Sequence, residues 1–183
     1  MGSNLLVRRP RSSSSSDRAR AILNDLRLLV RELRVSSRDA EKRLGISGAQ
    51  LFVLQCLSRD EVLSMNELAE RTHTDQSSVS VVVSRLVERE LVERSPSAED
   101  ARRAEVRLTA SGRKLVRFAP EATQVRLAQA LAAMSPESCD RLSQGLSELV
   151  TQMGIEGSPR MFFEEDAAPA PSRAAKKGRT PRG

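Results

Sequence analysis

The sequence contains no Trp and no Tyr, and four Phe supply its entire 2% of aromatic residues. Hydrophobic residues nonetheless reach 39%, chiefly Leu, Val and Ala, enough for a helical core and too many for disorder throughout. No apolar run approaches the ~18 residues that a membrane span needs. The opening stretch MGSNLLVRRPRSSSSS has neither a long apolar segment nor a small-residue cleavage site, so a cytoplasmic protein with no membrane partner is expected. Cysteine and histidine are scarce as well: Cys56, Cys139 and His73 are all there is, too few and too scattered for a zinc site or a disulfide framework. A Gly-rich phosphate loop is missing, and so is any ordered set of nucleophile, base and acid. The expectation is no metal, no cofactor and no enzymatic activity.

A strong local excess of positive charge is also missing. The net charge is +6, but residues 1–17 and 155–183 hold +2 each, and residues 60–112 carry seven Arg against eleven Asp or Glu, a net of −4. Total charge is therefore weak support for a nucleic-acid partner, and any such binding must rely on a few placed cations.

What is present is helical periodicity. Residues 1–16, rich in Arg and Ser, and 166–183, built from Ala, Pro, Gly and basic side chains, read as disordered. Asp17 stands as an N-cap before Ile22, Leu26, Leu29 and Leu33, whose spacing predicts a long amphipathic helix to about Leu44. Gly45 ends it, and Ser47 opens a second helix through Leu51, Leu54, Cys56 and Leu57. Ser64 and Glu67 have capping-box spacing before a short third helix, and Asp75 caps a fourth running to about Arg89. Leu91 to Arg94 and Glu105 to Thr109 read as two antiparallel strands around an exposed tip, SPSAEDARRA. Thr109 caps one long helix through Leu115, Phe118, Ala122, Val125 and Leu131, kinked at Pro120. Ser135-Pro136 opens a last helix whose apolar positions are Leu142, Leu146, Leu149 and Met153. Met161-Phe162-Phe163 can dock on the body, bind a partner or be loosely ordered, and Cys56 is a buried inert thiol or, alternatively, a redox switch.

This order is mainly α, a winged helix-turn-helix. On the fourth helix Val79, Val82, Val83 and Leu86 share one face, and Ser77, Val81, Ser84 and Glu88 lie opposite. A small, polar N-terminal half suits a helix entering the major groove. Gln76 can bond adenine; the hydroxyls of Ser77, Ser78, Ser80 and Ser84 can meet base edges or phosphates; Val81 can meet a thymine methyl. Arg85 can reach a phosphate or form an intrahelical ion pair, and His73 either touches a phosphate or is an exposed turn residue.

The stretch SMNELAERTHTDQSSVSVVVSRLVERELVERSPSAEDARRAEVRLTASG resembles the DNA-binding core of the MarR family of bacterial transcriptional regulators. The wing carries the most specific part, Asp100-Ala101-Arg102-Arg103 followed by Val106-Arg107-Leu108-Thr109 and Gly112, and the resemblance covers about residues 18–153. It implies a homodimer, a DNA-binding winged helix over about 47–112 with a two-stranded β wing, dimerisation helices over about 17–44 and 110–154, and a flexible basic tail from 155. It also implies double-stranded DNA with a pseudo-palindromic operator as partner and a possible small-molecule effector of unknown identity and site, usually releasing a repressor. Arg102 and Arg103 would contact DNA, with Asp100 orienting the Arg102 guanidinium. Two positions depart from the family pattern: Glu90 stands just after the recognition helix, where Gly is common, and Val81 where Arg is common. The competing expectation is a winged-helix protein-interaction module or a non-specific DNA-binding architectural module.

Overall fold

The computed structural model describes residues 14–59, 62–97, 103–157 and 161. Its elements are α1 (Ser15–Leu44), α2 (Gly48–Leu57), β1 (Leu63–Ser64), α3 (Met65–Thr72), α4 (Gln76–Glu88), β2 (Val92–Pro96), β3 (Ala104–Leu108), α5 (Ala110–Phe118), α6 (Thr123–Ala132) and α7 (Pro136–Gln152). The mainly α winged helix-turn-helix expected from the sequence is what forms.

Side-chain caps set most of the helix starts. Ser47 and Gln50 bond each other's backbone amides at the head of α2, and Ser64 and Glu67 do the same at α3. At α1 the cap is Ser14, and Asp17 is its reciprocal partner three residues on rather than the cap itself. The helix therefore begins inside the segment expected to be disordered; residues 1–13 lie outside the described residues.

Helix α2 is the centre of the core, with nine of its ten residues buried. The valine stripe of α4 lies in the same core, Val79, Val82, Val83 and Leu86 being at most 1% exposed, with Leu68 of α3 and Val106 of β3. Each fully buried Val or Leu side chain contributes on the order of 1.5–3 kcal/mol.

The sheet has three strands in the order β1-β3-β2, all antiparallel. The hairpin β2–β3 was expected, with Val92 opposite Leu108 and Arg94 opposite Val106. The third strand, β1, was not: two residues, Leu63 and Ser64, pair with Val106 and Glu105. So short a strand has no alternation to read.

The helix expected to run from Thr109 past Leu131 is two helices. Ala119 is extended, as a residue before proline must be, and the chain restarts in helix only at Thr123. Gln55 holds the break from both sides: its Nε2 donates to the Pro120 carbonyl at 2.8 Å and its Oε1 accepts from the Ala122 amide at 2.8 Å. Of the alternatives open for Met161, docking on the body is the one seen: it lies in the stretch read as a flexible tail from residue 155, yet it is 4% exposed and packed into the core. The remainder of that tail beyond Gly157 lies outside the described residues, Phe162 and Phe163 included.

Two backbone constraints lie where α4 leads into the wing. Glu90 has φ +56°, in the left-handed region, and ends α4 with the paired bonds of a Schellman turn, Glu90 N–H to Val87 O and Leu91 N–H to Leu86 O. Thr109, which caps α5, donates its hydroxyl to the Glu90 carbonyl at 2.7 Å. The first turn of α5 then passes so close that a Cβ on Gly112 would sit 2.0 Å from the Leu91 carbonyl oxygen. Gly112→Ala should therefore lower stability by ~1–3 kcal/mol through overpacking. Glu90→Gly should raise the unfolding midpoint slightly, since it relieves a left-handed cost of ~1–2 kcal/mol that added unfolded-state freedom only partly offsets. Glu90→Val should do the reverse, and urea unfolding of the three variants checks all three signs.

Candidate nucleic-acid interface

The turn between α3 and α4 is built from short side chains that bond their own backbone. Helix α3 ends at His73, whose φ of +52° reverses the chain, while the Thr72 hydroxyl donates to the Leu68 carbonyl at 2.8 Å. Asp75 then caps α4. Its Oδ1 accepts from the Ser78 amide at 2.9 Å and from the Ser77 hydroxyl, and its Oδ2 from the Ser78 hydroxyl at 2.9 Å. These bonds, the Ser77 hydroxyl foremost, hold the fully exposed Asp75 carboxyl down from the ordinary 3.8 to about 2.

The exposed face of α4 carries Gln76, Ser77, Val81 and Ser84, with Ser80 and Arg85 at its half-buried margins. Ser78 does not share that face. It is 7% exposed and its hydroxyl is spent on Asp75, because one residue beyond Ser77 the helix has already turned toward the core. Ser84 donates its hydroxyl to the Ser80 carbonyl at 2.8 Å. A serine hydroxyl has a single hydrogen, so Ser77 and Ser84 present lone pairs outward. Val81, 41% exposed, supplies the apolar spot between them.

Arg103 lies just before β3, with its carbonyl accepting from the Ser97 amide at 2.8 Å across the hairpin. Asp100 and Arg102 lie outside the described residues. Glu67 is held below its ordinary carboxyl range mainly by the Ser64 hydroxyl and amide, with Arg71 and Arg103 assisting. Behind this surface, Arg89 donates to the Gln50 side chain at 3.2 Å, tying the end of α4 to the cap of α2. Sequence reading missed Gln50 although Ser47 and Gln50 have the capping-box spacing used for Ser64 and Glu67; its tie to Arg89, 39 residues on, has no local signal.

A cavity of about 280 Å³ opens between α2, the end of α3 and α6, lined by Phe52, Cys56, Arg71, His73, Val125 and Gln129 among others. Burial pushes the Cys56 thiol up to about 11 against the pull of Arg59 and Arg71, so it stays protonated and inert at neutral pH. The distal helices present the opposite picture. Of thirty residues in α1 only Leu33, Ser37 and Ala40 are buried, and α7 buries none. Ile22, Leu23, Leu29, Leu142, Leu146 and Met153 are all exposed. Among the described residues no helix is long and apolar enough to cross a membrane.

A family model described as MarR family matches residues 44–103. The uncharacterised HTH-type transcriptional regulator YfiV of Bacillus subtilis is 32% identical over 107 residues, spanning 58% of this chain and 67% of its own length. Another uncharacterised HTH-type regulator, Mb0904 of Mycobacterium bovis, is 30% identical over 121 residues, spanning 66% of this chain and 85% of its own. Among solved structures, a mutant MarR from E. coli complexed with operator DNA superposes with a TM-score of 0.52 over 75% of this chain and 99% of its own, at 19% identity, a likeness of fold.

The depressed Asp75 carboxyl gives a pH signature. A carboxyl lowered in the folded state adds stability that is complete above its unfolded value near 3.8 and disappears as pH falls through about 2. Carbon-detected titration of the Asp75 carboxyl should show a midpoint near 2, and Ser77→Ala should move it up toward 3.8. A wild-type midpoint at 3.8 would mean that the serine cluster does not hold the cap in solution.

Proposed function

The chain belongs to the MarR family of transcriptional regulators, and from that premise we propose that it works as a homodimer reading a pseudo-palindromic operator in double-stranded DNA. The observation that carries this reading is α4, which buries Val79, Val82, Val83 and Leu86 while presenting Gln76, Ser77, Val81 and Ser84 outward at its capped N-terminal half. That is the shape and chemistry of a major-groove reader. With their hydrogens committed inward, Ser77 and Ser84 accept from base amino groups, adenine N6 or cytosine N4, and Val81 meets a thymine methyl. Arg85 and Arg103 lie at the edges as phosphate contacts, and by the family resemblance Arg102, oriented by Asp100, would enter the minor groove.

The dimer follows from the exposed leucines of α1 and α7, which a second copy would cover. Regulation follows from the cavity between α2, α3 and α6, which touches His73 at the turn into α4. A small molecule held there binds best when the two recognition helices are mis-spaced for successive major grooves, so it releases a repressor. An architectural module that binds DNA without sequence preference is the second reading. Footprinting on a fragment recovered by binding-site selection separates them, because only a specific regulator protects one near-palindrome against excess random DNA.

Sedimentation at micromolar concentration should give a dimer, and Leu146→Asp with Leu149→Asp should convert it to a folded monomer. A wild-type monomer would overturn the dimeric reading. On the operator, Ser77→Ala or Val81→Ala should cost ~1–3 kcal/mol at one base step. Equal loss on specific and random DNA would remove those residues from base readout. Arg102→Ala should weaken binding most on A·T-flanked sites, with Asp100→Ala acting in the same direction more weakly. Binding of Arg102→Ala to A·T and G·C flanks as tightly as the wild type would show that the wing does not read DNA here.

A further inference from the structure

A second and larger cavity, about 930 Å³, lies away from α4, between the end of α2, β3 and α5. Four arginines line it: Arg59 after α2, Arg107 on β3, and Arg113 and Arg117 one turn apart on α5. Its floor is apolar. Leu57 and Leu108 are core residues 1% and 5% exposed, and Val62 and Val116 complete the lining with Ser58.

Like charges converge on one cleft only at a cost, and among the described residues one of the four is offset by an ion pair. Arg107 pairs with Glu93 across the hairpin at 2.6 Å, both side chains about half exposed. Arg113 spends one donor on the Leu108 carbonyl at 2.6 Å, which pins its guanidinium to the floor and leaves the rest of the fork available. Arg117 lies 5.9 Å from the centre of the Phe118 ring, which preserves its charge. Arg59 makes no ion pair among the described residues, and Asp60 and Glu61 lie outside them. Among the described residues the lining thus carries three guanidinium groups without an ion pair around an apolar floor.

We propose that this cleft binds a phosphorylated small molecule with an apolar body. A guanidinium fork matches phosphate oxygens two at a time. A phosphate monoester brings about −1.5 to −2 charges and three strong acceptors near neutral pH, whereas a carboxylate brings one charge and two oxygens. Three forks, one from the loop after α2 and two from successive turns of α5, suit the first and over-match the second. A volume of about 930 Å³ is at the upper end of the ~300–1,000 Å³ usual for small-molecule sites, so there is room for the body on Leu57, Leu108 and Val116. The assignment does not depend on the DNA reading, since none of these residues lies on α4 or at the wing tip.

Isothermal titration of the full chain with octyl phosphate, inorganic phosphate and octanoate tests it, all below micelle-forming concentrations and at fixed ionic strength. Octyl phosphate should bind at least tenfold more tightly than either of the others, because only it supplies both the charge and the apolar body. All four arginines are exposed, so Arg59→Gln with Arg117→Gln should leave the circular dichroism spectrum and the melting temperature unchanged while weakening octyl phosphate at least tenfold. Arg117→Lys, which keeps the charge but loses the fork, should weaken it severalfold, and Arg141→Gln on α7 should have no effect. Octanoate binding as tightly as octyl phosphate would overturn the phosphate assignment. Octyl phosphate binding equally to the wild type and the Arg59/Arg117 double variant, or not binding at all, would overturn the site.

Discussion

Everything in the winged lobe is arranged around a helix with no solvent face. Because nine of the ten residues of α2 are buried, α1, α3, α4, β3, α5 and α6 must all pack against it, and each approach leaves a distinct mark. Against α1, Gly48 is close enough that a Cβ would lie 3.1 Å from Ser37, whose hydroxyl accepts the Gly48 amide at 3.3 Å. Toward α4, the cap residue Gln50 accepts from Arg89. Toward the α5–α6 break, Gln55, the one residue of α2 not buried, bonds both Pro120 and Ala122. Two amide side chains on one apolar helix thus tie it to the end of α4 and to the break between α5 and α6. Removing either partner leaves polar atoms unpaired in or near the core, worth ~1–3 kcal/mol each.

The features legible from sequence were those in which the cause is local. Ser47, Ser64, Asp75, Thr109 and Ser135 cap the helices they were expected to cap, since capping needs only three residues of spacing. The α4 stripe was legible for the same reason, period alone deciding which valines face in. The rest depended on distant partners. Residues 109–131 keep one apolar period across Pro120, and the period is silent about a break held by Gln55, 65 residues away. Met161-Phe162-Phe163 stands out in a tail as an apolar run, but only the core contact decides that Met161 docks on the body. Ser78 is different: the period that turns Val79 and Val82 inward turns Ser78 with them, so its place was legible in the sequence and was misassigned with Ser77 and Ser80.

Charge is distributed in keeping with this division of labour. The net −4 of residues 60–112 would repel DNA if it were spread evenly. Several of those carboxylates, however, are engaged: Asp75 and Glu67 in caps, Glu93 with Arg107. A carboxylate at a helix N-terminus faces the positive end of the helix dipole, so its field outward is weakened. The same pairing on β3 occupies only one guanidinium of the cleft behind the wing, which leaves the sign of that cleft opposite to the sign of the lobe as a whole.

The composition of α4 shows why the reading surface cannot be separated from the core. Nine of its thirteen residues are Ser or Val, which individually disfavour helix by up to ~0.7 kcal/mol relative to Ala. Thirteen residues is also near the length at which even good helix formers are marginal alone in water. Against that, four side chains buried at 1% exposure or less contribute on the order of 1.5–3 kcal/mol each, which exceeds the propensity deficit. The helix therefore exists because its stripe is buried, and under the proposed reading the exposed serines that weaken it, Ser77 and Ser84, would let a groove wall approach its backbone. Phe52, Cys56 and Val125, which line the cavity beside His73, belong to the same core as the α4 stripe, so under the proposed reading an effector held there would act on α4 through shared packing.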